Sequence, residues 1–205
     1  ASAGSNDQSW HDEDASRMNN ERTKVDLSRF DNTATFDPGA GFIKRTLWYF
    51  TNAMFFLNPM FPFRSLKPAL LRLFGAKVGK GVVIHPAVNI KFPWKLTIGN
   101  NSWIGQRVWL DNLDSLTIGN NVVISQGAMI IQGSHDYKKI EYPTYSRPVV
   151  LEDGSWIGAG AIVTLGVTAH THAVLAAGSV ATKDLDAYMI YQGNPAKPVR
   201  ERVME

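Results

Sequence analysis

The sequence predicts an all-β fold, a parallel β-helix of about five coils with an N-terminal helical cap and a short C-terminal tail. Three patterns predict it. Bulky aliphatic residues recur every six positions: Val78, Ile84 and Ile90, then Ile98, Ile104 and Leu110, then Ile118, Ile124 and Ile130, then Leu151, Ile157 and Val163, then Ala169, Leu175 and Ala181. Thirteen of these 15 sites are Val, Ile or Leu. Four residues after each, the side chain is small, being Ala, Ser or Val at 12 of 15 sites, with Trp94, Asp114 and Leu185 as exceptions. The phase slips twice by two residues, each time at the same string, LTIGNN, at 96–101 and 116–121. A period of six matches neither the 3.6-residue helix nor the two-residue strand alternation. It is the spacing of a β-helix in which each hexad is one short strand plus a corner. Three hexads close a triangular coil, and five coils stack to about 24 Å at ~4.8 Å between strands. Gly follows the aliphatic directly at Gly79, Gly99, Gly105, Gly119 and Gly158. Gly and Asn near the corners supply left-handed backbone angles.

The remaining elements follow in chain order. Residues 1–17 are polar, acidic and aperiodic, and read as an appended leader, with Met18 as the native start. Residues 18–77 form an N-terminal loop and helical cap. The loop closes with Asp37-Pro38-Gly39-Ala40-Gly41, apolar side chains then recur at helical spacing over 42–57, and Asn58-Pro59 stops the helix. A second short helix fits Ser65–Phe74, with Gly75 past its end. Both are too short to span a bilayer, so they pack on the main body or lie on a membrane surface. Residues 78–186 are the β-helix. From Ile130 to Leu151 is 21 residues where six would do, so 15 residues, 136–150, leave the coil as a loop just after His135. Loops of that size in a compact repeat are usually functional. Residues 187–205 form the tail.

Composition narrows the chemistry. Hydrophobic residues make up 44% of 205 and charged residues 19%, below the roughly 25% of a typical soluble domain. A wholly disordered chain is excluded. The net charge of +3 divides unevenly. Residues 1–37 carry four Lys/Arg against eight Asp/Glu, residues 38–110 carry ten Lys/Arg and no acid, and residues 111–205 carry seven Lys/Arg against ten Asp/Glu. There are no cysteines, which removes disulfides, thiolate zinc sites and a Cys nucleophile. Nothing resembles a signal peptide, and no apolar run reaches ~18 residues. The expected location is cytoplasmic, or the inner face of the membrane if the cap touches lipid.

The coils, the loop opening at Gly133-Ser134-His135-Asp136-Tyr137, and the tail Thr182-Lys183-Asp184 with Gly193-Asn194-Pro195-Ala196-Lys197 together resemble the hexapeptide-repeat acyltransferases, and among them the sugar O-acetyltransferases. Leu73–Lys80, Phe92–Leu96, Gly133–Asp136 and Gly193–Arg202 look like the colanic acid biosynthesis acetyltransferase family. The resemblance covers about residues 42–203. It implies left-handed coils, a homotrimer with its site between prisms, acetyl-CoA as cosubstrate and no metal. It further implies a sugar or lipid-linked oligosaccharide acceptor in surface polysaccharide assembly, with direct transfer in a ternary complex.

O-acetyl transfer needs a base for the acceptor hydroxyl, and histidine titrates near working pH. His135, at the large register break, is the expected base. The bland alternative is a corner histidine without a role. By resemblance, Trp156 packs near the thioester or pantetheine, the backbone at Ala159 and Ala177 binds the pantetheine, and Thr182, Lys183, Lys197 and Arg200 reach the adenosine end. Lys and Arg would make charge-assisted bonds to its phosphates. Otherwise Trp156 covers a subunit interface, and Lys197 and Arg200 are solvated tail charges. Asp111, Asn112, Arg107, Asp136 and Tyr137 are the acceptor candidates, and Asp136 could instead orient His135. His85, His170 and His172 carry less weight. A zinc enzyme of the same fold would want a second loop histidine where Ile140 stands. Rival functions are N-acetylation of an amino sugar, acetylation of a xenobiotic, and a non-catalytic structural β-helix.

The block at 42–80 combines nine aromatics with Lys44, Arg45, Arg64, Lys67, Arg72, Lys77 and Lys80. It is read as a cap on the open end of the stack, or as a peripheral membrane patch. Nucleic acid is not an expected partner, because no recognised motif is present.

Overall fold

The computed structural model describes residues 24–33, 35–61, 63 and 65–205. The leader 1–17, the start at Met18 and Arg64 lie outside the described residues. The chain divides into two compact units. One holds the N-terminal segment through Thr35 together with His135–Thr144, and the other holds Phe36–Ser134 with Tyr145–Glu205.

The larger unit is a left-handed parallel β-helix. Coil one contains β1 (Lys77–Val78), β2 (Val83–Ile84) and β3 (Asn89–Ile90). Coil two contains β4 (Leu96–Ile98), β5 (Trp103–Ile104) and β6 (Trp109–Asp111), and coil three β7 (Leu116–Ile118), β8 (Val123–Ile124) and β9 (Met129–Ile131). After an excursion holding β10 (Gly133–His135) and β11 (Thr144–Ser146), coil four contains β12 (Val149–Leu151), β13 (Trp156–Ile157) and β14 (Ile162–Thr164). Coil five contains β15 (Thr168–Ala169), β16 (Val174–Leu175) and β17 (Val180–Ala181), and β18 (Met189–Gly193) and β19 (Ala196–Glu201) follow. The three faces are sheets of order β1-β4-β7-β12-β15, β2-β5-β8-β13-β16-β18-β19, and β3-β6-β9-β14-β17. All their pairings are parallel except that of β18 with β19.

The six-residue period works by stacking. Ile84 pairs with Ile104, Ile104 with Ile124, Ile124 with Ile157, and Ile157 with Leu175. These side chains are fully buried and form one apolar column. Most corners place the third residue after the aliphatic in the left-handed region. Glycine does this at Gly81, Gly127, Gly154, Gly160, Gly166 and Gly178, and asparagine at Asn101 and Asn121. Ala87, Arg107 and His172 do it as well, which extends the sequence expectation beyond Gly and Asn. A Cβ in that region is strained by roughly 1–2 kcal/mol, so the stack must hold these three in place. At the two LTIGNN slips the corner is built otherwise. The first uses a 3₁₀ turn at Pro93–Lys95, and the second passes through Leu113 without a positive φ.

Two boundaries differ from the sequence reading. Val149–Leu151 already pairs with Leu116–Ile118, so the excursion ends before residue 150. At its base, Arg147 N–H donates to the Gln132 carbonyl at 3.2 Å. The segment after 186 is more than a tail. Leu185 bridges to Ala169 and β18 joins β16, which begins a sixth coil. Backbone hydrogen bonding recruits this segment although its hexad pattern has ended.

A polar ladder runs down one corner. Asn100 Oδ1 accepts from Lys80 N–H, Asn120 Oδ1 from Asn100 N–H, and Asp153 Oδ1 from Asn120 N–H, at 2.7–2.8 Å. The Asn120 side-chain and backbone donors hold the Asp153 carboxyl below its ordinary value.

The cap closes the first coil. Helix α1 (Phe42–Thr51) continues as a π-helical turn at Asn52–Leu57, and α2 spans Leu66–Leu73. Trp48, Phe56, Lys67 and Leu71 are buried. Trp48 Nε1–H donates to the Ile90 carbonyl at 2.9 Å, and Lys67 Nζ to the His85 carbonyl at 2.8 Å. Arg72 donates to the carbonyls of Val78 and Gly79.

The glycine after each aliphatic has a steric cause. A Cβ on Gly99 would stand 2.6 Å from the Gly119 carbonyl carbon and oxygen. Backbone cannot step aside as a side-chain tip can. Gly99→Ala is expected to lose about 1–3 kcal/mol of stability, read by chemical denaturation. Loss of less than about 0.5 kcal/mol would show that the coils separate freely at this corner.

Candidate active site

His135 belongs to the smaller unit. Its Nδ1 lies 3.0 Å from the Tyr142 carbonyl oxygen. A carbonyl can only accept, so Nδ1 carries the hydrogen, and in the neutral ring the lone pair is on Nε2. Thr144 Oγ1 sits 3.4 Å from the same nitrogen. The Tyr142 ring stacks on the imidazole at 4.7 Å between centroids and 16° between planes, and Phe30 flanks it at 6.0 Å. Tyr142 has φ 50, a left-handed backbone that a bulky residue adopts only when its surroundings impose it. The N-terminal segment braces this loop. Asp26 N–H donates to the Ile140 carbonyl, Thr144 N–H to Asn32 Oδ1, and Arg29 pairs with Glu141 at 2.6 Å. The result is an imidazole held in one tautomer and one orientation with a basic nitrogen on its other edge.

The acceptor candidates separate. Asp136 accepts from Lys138 N–H and lies 3.8 Å from Lys139 Nζ. The Tyr142 carbonyl, and not Asp136, takes the His135 Nδ1 hydrogen. Tyr137 is exposed in the same loop. In the larger unit, Asp111 pairs with Lys91 at 2.9 Å. Both line a cleft of about 360 Å³ with Arg45, Tyr49, Trp94 and Trp109. Arg107 is an exposed corner residue. Asn112 corrects the sequence reading. It is 0% exposed, its Oδ1 accepts from the N–H groups of Lys91 and Phe92, and its Nδ2 donates to the Phe92 carbonyl at 2.6 Å. Every polar atom of the amide is engaged, so it braces two coils and offers nothing to a ligand.

The coenzyme candidates lie along coils four and five and on the strand that ends the second sheet. Trp156 is exposed on the second sheet, its Nε1–H donating to Ser125 Oγ at 2.9 Å. Ala159 and Ala177 share one corner, where the Ala159 carbonyl accepts from Gly178 N–H at 2.9 Å. A Cβ at Gly160 or Gly178 would meet nothing within 4 Å, so this corner faces open space. Lys197 and Arg200 are exposed on β19, at the edge of the sheet that carries Trp156. That is three strand spacings from β13, about 14 Å. Thr182 and Lys183 are exposed where β17 ends on the third face. Among the described residues, no three of His, Asp and Glu gather as a metal site. His170 Nδ1 meets Glu152 at 3.1 Å, and His172 stacks on Tyr188.

Known proteins share these features. A family model described as the hexapeptide repeat of succinyl-transferase matches residues 148–183. WcaF of Escherichia coli K12, named for acetyl transfer in colanic acid biosynthesis, is 41% identical over 179 residues, spanning 87% of this chain and 97% of that protein. The chain belongs to the hexapeptide-repeat acetyltransferases. The galactoside O-acetyltransferase of the same organism is 27% identical over 66% of this chain and 68% of its own length. Among solved structures, a hexapeptide-repeat acetyltransferase from Vibrio cholerae O1 biovar eltor, complexed with acetyl coenzyme A, superposes with TM-score 0.73 at 25% identity, covering 82% of this chain and 93% of that one.

Within this acetyltransferase, three residues with bracing roles escaped the sequence reading. Tyr142 acts through its carbonyl, which any residue type carries, so only the X-Pro step at 142–143 marked an unusual backbone. Gln132 is fully buried. Its Oε1 accepts from Asp114 N–H and its Nε2 donates to the Ser115 carbonyl at 2.8 Å, at the base of the excursion. Arg202 anchors the end of the chain by donating to the carbonyls of Gly154 and His172.

Asn112→Ala leaves the Phe92 N–H bare, whereas Lys91 N–H keeps the Leu110 carbonyl and the Phe92 carbonyl keeps Lys95 N–H. The expected outcome is a stability loss of about 1–3 kcal/mol, with KM for the acceptor in the folded fraction within about twofold of wild type. A selective rise in acceptor KM, with stability intact, would return Asn112 to the acceptor site.

Proposed function

We propose that this chain is an acetyl-CoA-dependent O-acetyltransferase that acylates a sugar hydroxyl in the assembly of a surface polysaccharide of the colanic acid kind. The observation that carries the reading is His135, held through Nδ1 by the Tyr142 carbonyl so that Nε2 is the free base. The acceptor hydroxyl gives its proton to Nε2 as its oxygen attacks the thioester carbonyl. The tetrahedral intermediate collapses, the carbon–sulfur bond breaks, and the proton passes from Nε2 to the departing thiolate. A backbone N–H would steady the oxyanion. No acyl-enzyme forms, in keeping with a chain that has no cysteine. Pantetheine lies along the open corner of Ala159 and Ala177 beside Trp156, with Lys197 and Arg200 toward the phosphates. Thr182 and Lys183 serve the adenosine end from the third face. Asp111, Arg107, Asp136 and Tyr137 remain as acceptor contacts. The exposed Trp103 and Trp109 supply apolar outer surface of the kind a homotrimer covers. The acceptor is a sugar or a lipid-linked oligosaccharide, and the enzyme works in the cytoplasm.

The test is thiol release from acetyl-CoA against a panel of sugars, amino sugars and xenobiotic alcohols. Release that depends on a sugar alcohol supports the reading, and release that depends only on an amine overturns it. General-base removal typically costs 10²–10⁴ in rate. His135→Ala is therefore expected to fall at least about a hundredfold in kcat, and retention of more than about a tenth would remove His135 from that role.

The coenzyme assignment has its own readout. Lys197→Ala and Arg200→Ala should each raise KM for acetyl-CoA by about three- to tenfold while moving acceptor KM little. An equal rise in both would mean the tail strand acts on the fold as a whole.

A further inference from the structure

Helix α1 and its π-helical extension are apolar on two opposite sides. At 100° per residue, Trp48 of α1 and Asn52, the first residue of the π-helical turn, fall on one side, and both are buried together with Phe56. Ile43, Leu47, Phe50 and Met54 follow the spacing i, i+4, i+7, i+11 on the other side, and they are 74%, 56%, 60% and 59% exposed. A helix on a globular surface normally turns polar residues outward. An exposed apolar stripe of this length marks an interaction surface.

Charge identifies what it fits. Residues 38–110 contain ten Lys/Arg and no acid. Lys44 lies about 60° around the helix from Leu47. Arg45 lies about 160° from Leu47, on the side of Trp48 and Asn52, where it lines the cleft between α1 and the third sheet together with Lys91. Asp111 in that cleft is paired with Lys91, and Arg45 has no ion pair among the described residues. We propose that this face docks on an anionic lipid surface. Helix α1 lies in the bilayer plane, Ile43, Leu47, Phe50 and Met54 enter the acyl boundary, and Lys44 on the flank of the stripe meets lipid phosphate. No helix among the described residues is long and apolar enough to cross a membrane, so the contact is in-plane. A second copy fits worse. Pairing two such faces would bring cation against cation with no carboxylate from the 38–110 segment between them, whereas a phospholipid offers acyl chain and anion together.

The probe is vesicle sedimentation of the full chain. Wild type is expected to bind vesicles of phosphatidylcholine containing about a third phosphatidylglycerol at low salt. Binding should weaken at least about tenfold in pure phosphatidylcholine or at ~0.5 M salt. Leu47→Glu combined with Phe50→Glu should lower binding at least about tenfold, with circular dichroism and native mass unchanged. If that pair misfolds, Phe50→Gln with Met54→Gln carries the same decision. Three results overturn the proposal. They are wild type ignoring anionic vesicles at low salt, the substituted chain binding within about twofold of wild type, and a fall in native mass on substitution, which would make the stripe a contact between copies.

Discussion

The larger unit rests on backbone hydrogen bonds between coils. Trp103 N–H donates to the Val122 carbonyl, Val123 N–H to Ser155, and Trp156 N–H to Ala173, at 2.8–3.1 Å. Strands of two or three residues have no stability alone, so each coil is stable only as a member of the stack. Two consequences follow. Register along the axis is fixed, because a slip would turn every buried aliphatic outward. The terminal coils also present a rim of peptide groups that must find partners. At the first coil the rim carbonyls of Val78, Gly79, His85 and Ile90 take donors from Arg72, Lys67 and Trp48. Arginine and lysine suit this task because they only donate. Near the other end, Arg202 supplies two donor bonds of the same kind.

A stack this constrained has little room for irregular backbone, since each strand is held in register with its neighbours. The excursion after coil three leaves the lattice. Gln132 and Arg147 fix its base, and beyond them the backbone is free to adopt the left-handed turn at Tyr142 that aims a carbonyl at His135. The division of labour is physical. The lattice supplies regular stacked corners, and the irregular loop supplies a histidine held in one orientation.

This division explains what could be read from the chain. The inward column and the large register break follow from side-chain type at fixed spacing, so they were legible. The corner conformations at Ala87, Arg107 and His172 were not, because the stack imposes them on residues without that preference. Asn112 and Gln132 are both amides next to the excursion, and sequence marked the first as a ligand and passed over the second. Both are buried braces, a role set by three-dimensional neighbours 17–21 residues away in the chain. The sixth coil was missed for a related reason. Met189–Gly193 joins the sheet through backbone alone, and a backbone partner leaves no hexad signature.

The same accounting sharpens the meaning of the acid-free basic block. Lys67, Arg72 and Lys95 donate to backbone carbonyls, burial pushes the Lys95 ammonium down from its ordinary value, and Lys91 holds Asp111. These cations are structural, and an end cap alone explains them. An end cap does not explain why carboxylates are absent from the outer side of α1 as well, where they would cost nothing in packing and would aid solubility. Nor does it explain Ile43, Leu47, Phe50 and Met54 facing outward, because the rim of the first coil is already closed from the inner side by Trp48 and Phe56. Sealing the stack and meeting a second surface are therefore separate demands on one helix, met by its two faces, and the outer face answers to chemistry beyond the fold.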